Sequence, residues 1–288
     1  MSQPGRVVAA HGRQYVVELD DGSRLACFPR GKKSDIACGD WVEVALTAPG
    51  QGVVESIHPR RSLLYRSNEV RQKLIAANVD LLVLVVATEP AFSEDLLSRA
   101  LVAAATEEIE PLIVLNKADL TDRLPGARQR LAVLAGLGTP VVELCAREHA
   151  EDLRPHLQGR TAALVGQSGM GKSTLVNALV PDAGAITREI SAALDSGKHT
   201  TTHACLYHLD AESHLIDSPG LQEFGLNHLD RAAVELAFPE FRPFLGACRF
   251  RDCRHDREPD CALQAAVANG HVDAGRFAAY HRIVQTKR

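Results

Sequence analysis

Thr161-Ala-Ala-Leu-Val165, an apolar run of strand character, leads directly into Gly166-Gln167-Ser168-Gly169-Met170-Gly171-Lys172-Ser173, and that string into Thr174-Leu-Val-Asn-Ala-Leu. The middle string fits G-x4-G-K-[ST], and its flanks supply the strand before and the helix after that the motif requires. Nothing else in the chain constrains the fold as much. A buried strand, a glycine-rich turn and a helix in direct succession belong to a mostly parallel sheet covered by helices. Backbone N–H groups of such a loop, with the positive end of its helix, hold phosphate. Lys172 is then the catalytic candidate at the β- and γ-phosphates, and the Ser173 hydroxyl a ligand for Mg²⁺. A chance glycine-rich turn is the competing reading, and the flanking context disfavours it.

The surrounding region agrees with an α/β fold. Apolar runs at 79–87, 111–115, 140–144 and 161–165 alternate with helical stretches at 93–109, 123–136 and 147–157, and a strand pair is expected at 203–209 and 213–217. Residues 5 to about 58 read differently, as five short alternating strands separated by turn signals such as Asp20-Asp21-Gly22-Ser23 and Pro49-Gly50. That pattern suits a small barrel, OB-like or SH3-like, without choosing between them. The expected division is a barrel over 1–66, a nucleotide domain over 67–230 and a third module over 231–288, helical from Leu263 to Val284 except at Asn269-Gly270.

Asn116-Lys117-Ala118-Asp119 closes the apolar run Pro111–Leu115, which places it at the C-terminal edge of a strand, where open α/β sheets bind ligands. A carboxylate at Asp119 accepts from both N1–H and the 2-amino group of guanine, a pair that adenine lacks. Asn116 would brace the loop and Lys117 lie along the base. Alone the tetrapeptide is weak; beside a phosphate loop it makes guanine the favoured base. Asp217-Ser-Pro-Gly220 ends another apolar strand, placing Asp217 to hold Mg²⁺ and the Gly220 N–H to meet the γ-phosphate. Gly197-Lys-His-Thr-Thr-Thr-His203 offers Thr201 for the metal and His199 near the γ-phosphate, with a polar turn as the equal alternative.

Cys248, Cys253, His255 and Cys261 supply three thiols and one imidazole within 14 residues. That is a complete tetrahedral set for structural Zn²⁺, with no open position for catalysis. The intervening residues are mostly charged (Arg249, Arg251, Asp252, Arg254, Asp256, Arg257, Glu258, Asp260), so the segment cannot build an apolar core and would need the metal to fold.

The order of these strings is unusual. Ordinary GTPases run phosphate loop, switch threonine, D-x-x-G, then N-K-x-D, whereas here Asn116–Asp119 precedes Gly166–Thr174. This rotation, with Ile75-Ala-Ala-Asn-Val-Asp80, Lys198-His-Thr-Thr-Thr, Asp217-Ser-Pro-Gly-Leu-Gln-Glu-Phe-Gly-Leu226, a barrel in front and a Cys/His cluster behind, resembles the RsgA (YjeQ) family of circularly permuted GTPases. The resemblance covers nearly the whole chain. It implies an N-terminal OB fold, GTP/GDP with Mg²⁺ as ligands, zinc on the four residues above, and dependence on the small ribosomal subunit and its rRNA in late subunit assembly. It also implies a guanine contact at Cys145-Ala146, where the family has Ser-Ala; that contact is mostly backbone and should survive the change. Leu221 stands where a water-orienting glutamine would be needed, with Gln222 one position late, so unaided hydrolysis should be slow, and His199 or the partner must complete the site.

The charge distribution hints at docking of both ends on something anionic, with ordinary surface variation as the equal alternative: net +2 over residues 1–66 and +3 over 240–288 flank a middle of −9, within a total of −4. Arg242, Arg249, Arg251, Arg254 and Arg257 are candidates for phosphate contacts, or else an ordinary solvated face. At 45% apolar and 24% charged residues, disorder and coiled coil are disfavoured. The longest apolar run, Leu81–Ala87, is too short to span a bilayer and no signal peptide is visible, so a cytoplasmic, monomeric protein without membrane contact is expected. The rival readings are an RNA-binding scaffold with a vestigial nucleotide site and a small-molecule ATPase or kinase. Intact Lys172, Ser173, Asp217 and Asp119 oppose the first, and Asn116–Asp119 the second.

Overall fold

The computed structural model describes residues 2–31, 35–67, 72–193, 204–218, 224 and 226–285. Five strands, β1 (Ser2–His11), β2 (Gln14–Leu19), β3 (Arg24–Pro29), β4 (Trp41–Ala48) and β5 (Gln51–Ile57), form a barrel in the order β1-β2-β3-β5-β4 that closes by pairing β1 with β4. Among the described residues its one parallel pairing joins β3 to β5. This is an OB-type barrel. Alternation turns Val7, Tyr15, Val17, Leu25, Cys27, Val42, Val44 and Val54 inward to a small core of its own.

A hairpin, β6 (Leu63–Ser67) with β7 (Gln72–Ala77), which periodicity does not announce, precedes the central sheet. That sheet runs β10 (Val141–Glu143), β9 (Glu110–Asn116), β8 (Leu81–Ala87), β11 (Thr161–Val165), β13 (His214–Asp217), β12 (Ala204–His208). All neighbours are parallel except the β12–β13 pair. Strands β8 and β11 are buried along their whole length, as central strands covered on both faces must be. Helices α1 (Glu94–Thr106) and α2 (Leu124–Gly136) follow β8 and β9 at the expected places. Ser93 caps α1 by accepting from the Leu96 N–H.

The helix expected over 147–157 is not formed as one element. The backbone N–H groups of Glu148 and His149 both donate to the Cys145 carbonyl, closing a single turn that His149, at φ −128° and ψ 30°, does not continue. Only a 3₁₀ turn (Ala150–Leu153) and one helical turn, α3 (Arg154–Leu157), follow, and Gly159 at φ 67° redirects the chain. After α4 (Lys172–Leu179) comes α5 (Ala183–Ala193), an element the sequence reading omits.

Strand β1 belongs to both halves. Its first residues pair with β4, while Ala9 and Ala10 pair with Cys205 and Ala204 of β12, so barrel and central sheet are continuous. Buried Arg6 adds a bond from Nη2 to the Thr161 hydroxyl (2.8 Å) at the start of β11. At the other end, α6 (Arg231–Leu236), a 3₁₀ turn (Pro239–Phe244), α7 (Ala262–Ala268) and α8 (Ala274–Gln285) surround Phe238, Phe241 and Tyr280, all fully buried. Arg276 anchors this module to the sheet domain: it donates to Glu240 (2.7 Å), reaches the Ser98 hydroxyl of α1 (3.4 Å) and lies over the Phe238 ring. No described helix is long and apolar enough to cross a membrane.

Candidate functional site

The glycine-rich loop leaves β11 at the C-terminal edge of the sheet, beside the end of β8. A Cβ on Gly166 would lie 2.3 Å from the Val85 carbonyl oxygen, so the strand-to-loop exit admits no side chain. Gly171 caps α4 in the left-handed region, at φ 94°. Ser173 and Thr174, in the first turn of α4, are exposed, as are Ser168 and Gly169 of the loop, while Met170 is buried beneath it. Lys172 folds back over the loop, its Nζ donating to the carbonyls of Gly166 (2.6 Å) and Gln167 (3.0 Å). The Gln167 side chain in turn accepts from the Ser93 N–H at the start of α1 (2.7 Å).

Asn116 ends β9, almost fully buried, and its one side chain joins three loops. Nδ2 donates to the Met170 carbonyl (2.8 Å), and Oδ1 accepts from the N–H groups of Lys117 (2.8 Å) and Ala146 (2.9 Å). The Ala118 N–H completes the link by donating to Leu144 (3.2 Å), just before the buried Cys145. Lys117 sits at φ 60°, and its Nζ donates to the Glu89 carbonyl (2.6 Å). Asp119 is exposed at the mouth of this cluster. Strings at 116–119, 145–146 and 166–174 are thus brought together at one sheet edge. The residues after β8 are part of this edge and were missed in the sequence: Thr88 donates from its hydroxyl to Lys117 (3.0 Å), and Glu89 receives the lysine. The signal for them in the sequence is that they end an apolar run, Leu81–Ala87, as Asn116 ends another, at the edge where open sheets bind ligands.

Asp217 ends β13, buried, in register with Leu164 of β11. Burial pushes its carboxyl up to about 6, opposed by the nearby Lys172 charge. Lys172 is held below the ordinary ammonium range by the same desolvation, opposed by Asp217. A divalent cation at this carboxylate would offset the cost of burying its charge. His199, Thr201, Gly220, Leu221 and Gln222 lie outside the described residues.

The second cluster lies in the C-terminal module. The ligand atoms of Cys248, Cys253, His255 and Cys261 all fall within 4.8 Å of one another. Cys248 Sγ is 3.9 Å from Cys261 Sγ, and His255 Nδ1 is 3.6 Å from Cys248 Sγ and 3.3 Å from Cys261 Sγ. A tetrahedral Zn²⁺ with its usual bond lengths requires sulfur–sulfur separations of about 3.8 Å and somewhat shorter sulfur–nitrogen ones. The donor set therefore fits zinc in both chemistry and spacing, with Nδ1 as the imidazole ligand. His255 and Asp260 adopt positive φ (58° and 54°), which folds the connecting loops tightly around the four donors.

Comparison with known proteins agrees with this geometry. The model of the RsgA GTPase family matches residues 57–227. The small ribosomal subunit biogenesis GTPase RsgA of Burkholderia pseudomallei (strain K96243) is 56% identical over 285 residues, covering 97% of this chain and 91% of that protein. Its namesake in Bordetella pertussis is 55% identical, with 97% and 95% covered. Among solved structures, YjeQ from Thermotoga maritima superposes with a TM-score of 0.74 at 31% identity, covering 100% of this chain and 99% of that one. The circularly permuted GTPase YloQ gives 0.69 at 26% identity, with 100% and 95% covered.

Proposed function

Because the chain belongs to the RsgA GTPase family, and so hydrolyses GTP in the service of ribosome biogenesis, we propose that it binds the small ribosomal subunit and acts in late maturation, slowly alone and faster on the subunit. The guanine-nucleotide part of the reading is carried by the three-way contact of Asn116, which joins the base-reading string, the Cys145–Ala146 turn and the phosphate loop into one pocket edge despite their permuted order, and the subunit part by the relatives named small ribosomal subunit biogenesis GTPase RsgA.

In this reading Asp119 selects guanine, with the Cys145–Ala146 backbone alongside. The N–H groups of 166–174 cradle the phosphates, and Lys172 exchanges its two carbonyl partners for β- and γ-oxygens. Ser173, Asp217 and Thr201 would hold Mg²⁺, which would supply charge neutralisation at the phosphates. The Gly220 N–H meets the γ-phosphate. With Leu221 unable to orient water, His199 is the residue to position the attacking water once the partner is engaged. The barrel (1–66) and the zinc-bearing module (231–288) would dock on rRNA while the domain over 67–230 hydrolyses nucleotide. The protein would act as a cytoplasmic monomer.

The test is GTP turnover with and without purified small subunits across a salt series. Stimulation should fall steeply with salt while basal turnover barely changes, because docking rests on phosphate contacts. His199→Ala should keep GTP and subunit binding and lose most of a stimulation of order 10²–10⁴. Salt-insensitive stimulation would remove rRNA docking from the reading, and full stimulation in His199→Ala would remove the histidine.

A further inference from the structure

We propose that Glu235 is the outer carboxylate of the Cys248–Cys253–His255–Cys261 centre, a positioning residue that fixes His255 with Nδ1 towards the metal, and that Arg231 and Tyr280 hold it in that role. The inference rests on the reading of this cluster as a zinc site.

His255 is 4% exposed, and its two ring nitrogens face different partners. Nδ1 points into the thiol set, while Nε2 lies 3.5 Å from Glu235 Oε1. An imidazole that ligates through Nδ1 must carry its proton on Nε2, so an acceptor placed there selects the ligating tautomer and opposes a ring flip. Glu235 is itself held: its Oε1 accepts from the Tyr280 hydroxyl (2.8 Å) and from Arg231 Nε (2.9 Å). The same guanidinium donates from Nη2 to the Cys253 carbonyl (2.9 Å), and the His281 ring lies 3.1 Å from the His255 carbonyl. One network therefore grips the backbone of two ligands and the ring of one of them.

Charge explains why a carboxylate here comes with an arginine. Three thiolates, one neutral imidazole and Zn²⁺ sum to −1, so Glu235 alone would be repelled by the centre it serves. Arg231, one helical turn away on α6, offsets that repulsion. An isolated i,i+4 surface pair would explain neither the low exposure of the Glu235 side chain, 16%, nor its approach to Nε2. A metal on Nδ1 would draw density from the ring and make Nε2–H a stronger donor to Glu235.

The test is zinc affinity of the full chain, by competition with a chelator of known affinity, for the parent protein, Glu235→Ala, Glu235→Gln and Tyr280→Phe. Loss of the outer carboxylate should weaken zinc by about 10–100-fold in Glu235→Ala. Glu235→Gln, which keeps an acceptor but no charge, should fall between, and Tyr280→Phe should lose less. Unchanged GTP affinity in Glu235→Gln verifies that the chain is folded. With Co²⁺ in place of zinc, the d–d bands should shift in the Glu235 variants while the thiolate charge-transfer bands persist. Parent-like zinc affinity and Co²⁺ spectra in both Glu235 variants would overturn the assignment while leaving the metal site standing. A parent protein that binds no zinc would overturn the metal reading, and the assignment with it.

Discussion

Asn116 and Met170 are 54 residues apart in sequence, yet the Asn116 amide donates to the Met170 carbonyl at 2.8 Å, inside the phosphate loop. A Cβ on Gly171 would lie 2.1 Å from the same Asn116 Nδ2, so the next residue of the loop must be glycine for this bond to exist. Asn116→Ala would leave the Met170 carbonyl and the Lys117 and Ala146 N–H groups unpaired around a buried void. Each such group costs about 1–3 kcal/mol. We expect GTP affinity to fall by one to two orders of magnitude with zinc content unchanged, measured by nucleotide titration and metal analysis.

Gly166→Ala forces a methyl group against the Val85 carbonyl, which belongs to a strand paired to β11 and cannot retreat. Overpacking of this kind costs about 1–3 kcal/mol. Denaturant unfolding should show that loss, and GTP binding should weaken beyond it because the loop exits β11 at a changed angle.

Asp119→Asn replaces a carboxylate that accepts twice with an amide that accepts once and donates once. Xanthine carries a carbonyl where guanine carries the 2-amino group, so the variant should bind XTP in preference to GTP. Undiminished GTP affinity with no gain for XTP would refute the base-reading role.

The carboxyl of Asp217 is pushed up from 3.8 to about 6 by burial, so protons compete with Mg²⁺ in the mildly acid range. The Mg²⁺-dependent part of GTP affinity should be flat above about pH 6 and fall about tenfold per pH unit below it. In nucleotide-free protein the sign is opposite. The folded chain keeps the Asp217 proton between about pH 4 and 6, where the unfolded chain has released it, so this group lowers stability as pH rises through that window. Asp217→Asn should flatten both profiles, read by isothermal titration and by thermal unfolding against pH.

Cys253→Ser should lose zinc and unfold the loop between Phe244 and Ala262, since metal ligation in such modules contributes about 10 kcal/mol or more. Phe238, Phe241 and Tyr280 pack into the same core as the central sheet, so loss of the metal should also lower the melting temperature of the whole chain. GTP affinity should change little, because the hydrogen bonds that hold Asn116, Lys117, Gln167 and Lys172 run to the loops of the sheet edge itself. Melting curves with and without a zinc chelator check the first effect, and nucleotide titration the second.

The strings at 116–119, 166–174 and 248–261, which the fold gathers into two clusters, were legible in the sequence because their spacing is local. Consecutive backbone N–H groups, a glycine at a forbidden angle, or four soft donors within 14 residues act through spacing along the chain. The buried strands were legible for a similar reason: unbroken apolar runs such as Leu81–Ala87 satisfy a two-sided environment. What only the tertiary structure decided depends on partners remote in sequence. Barrel closure required β1 to meet β4 and β3 to lie parallel to β5, a choice that alternation within a strand does not encode. The helix expected at 147–157 gave way at His149, whose backbone at φ −128° and ψ 30° leaves the helical region after one turn, a choice that propensity does not resolve. Asn116 reaching Met170 and Glu235 standing behind His255 are the same kind of fact. Each is a hydrogen-bonding group whose partner is supplied by folding, so its role becomes visible only where the packed chain places it.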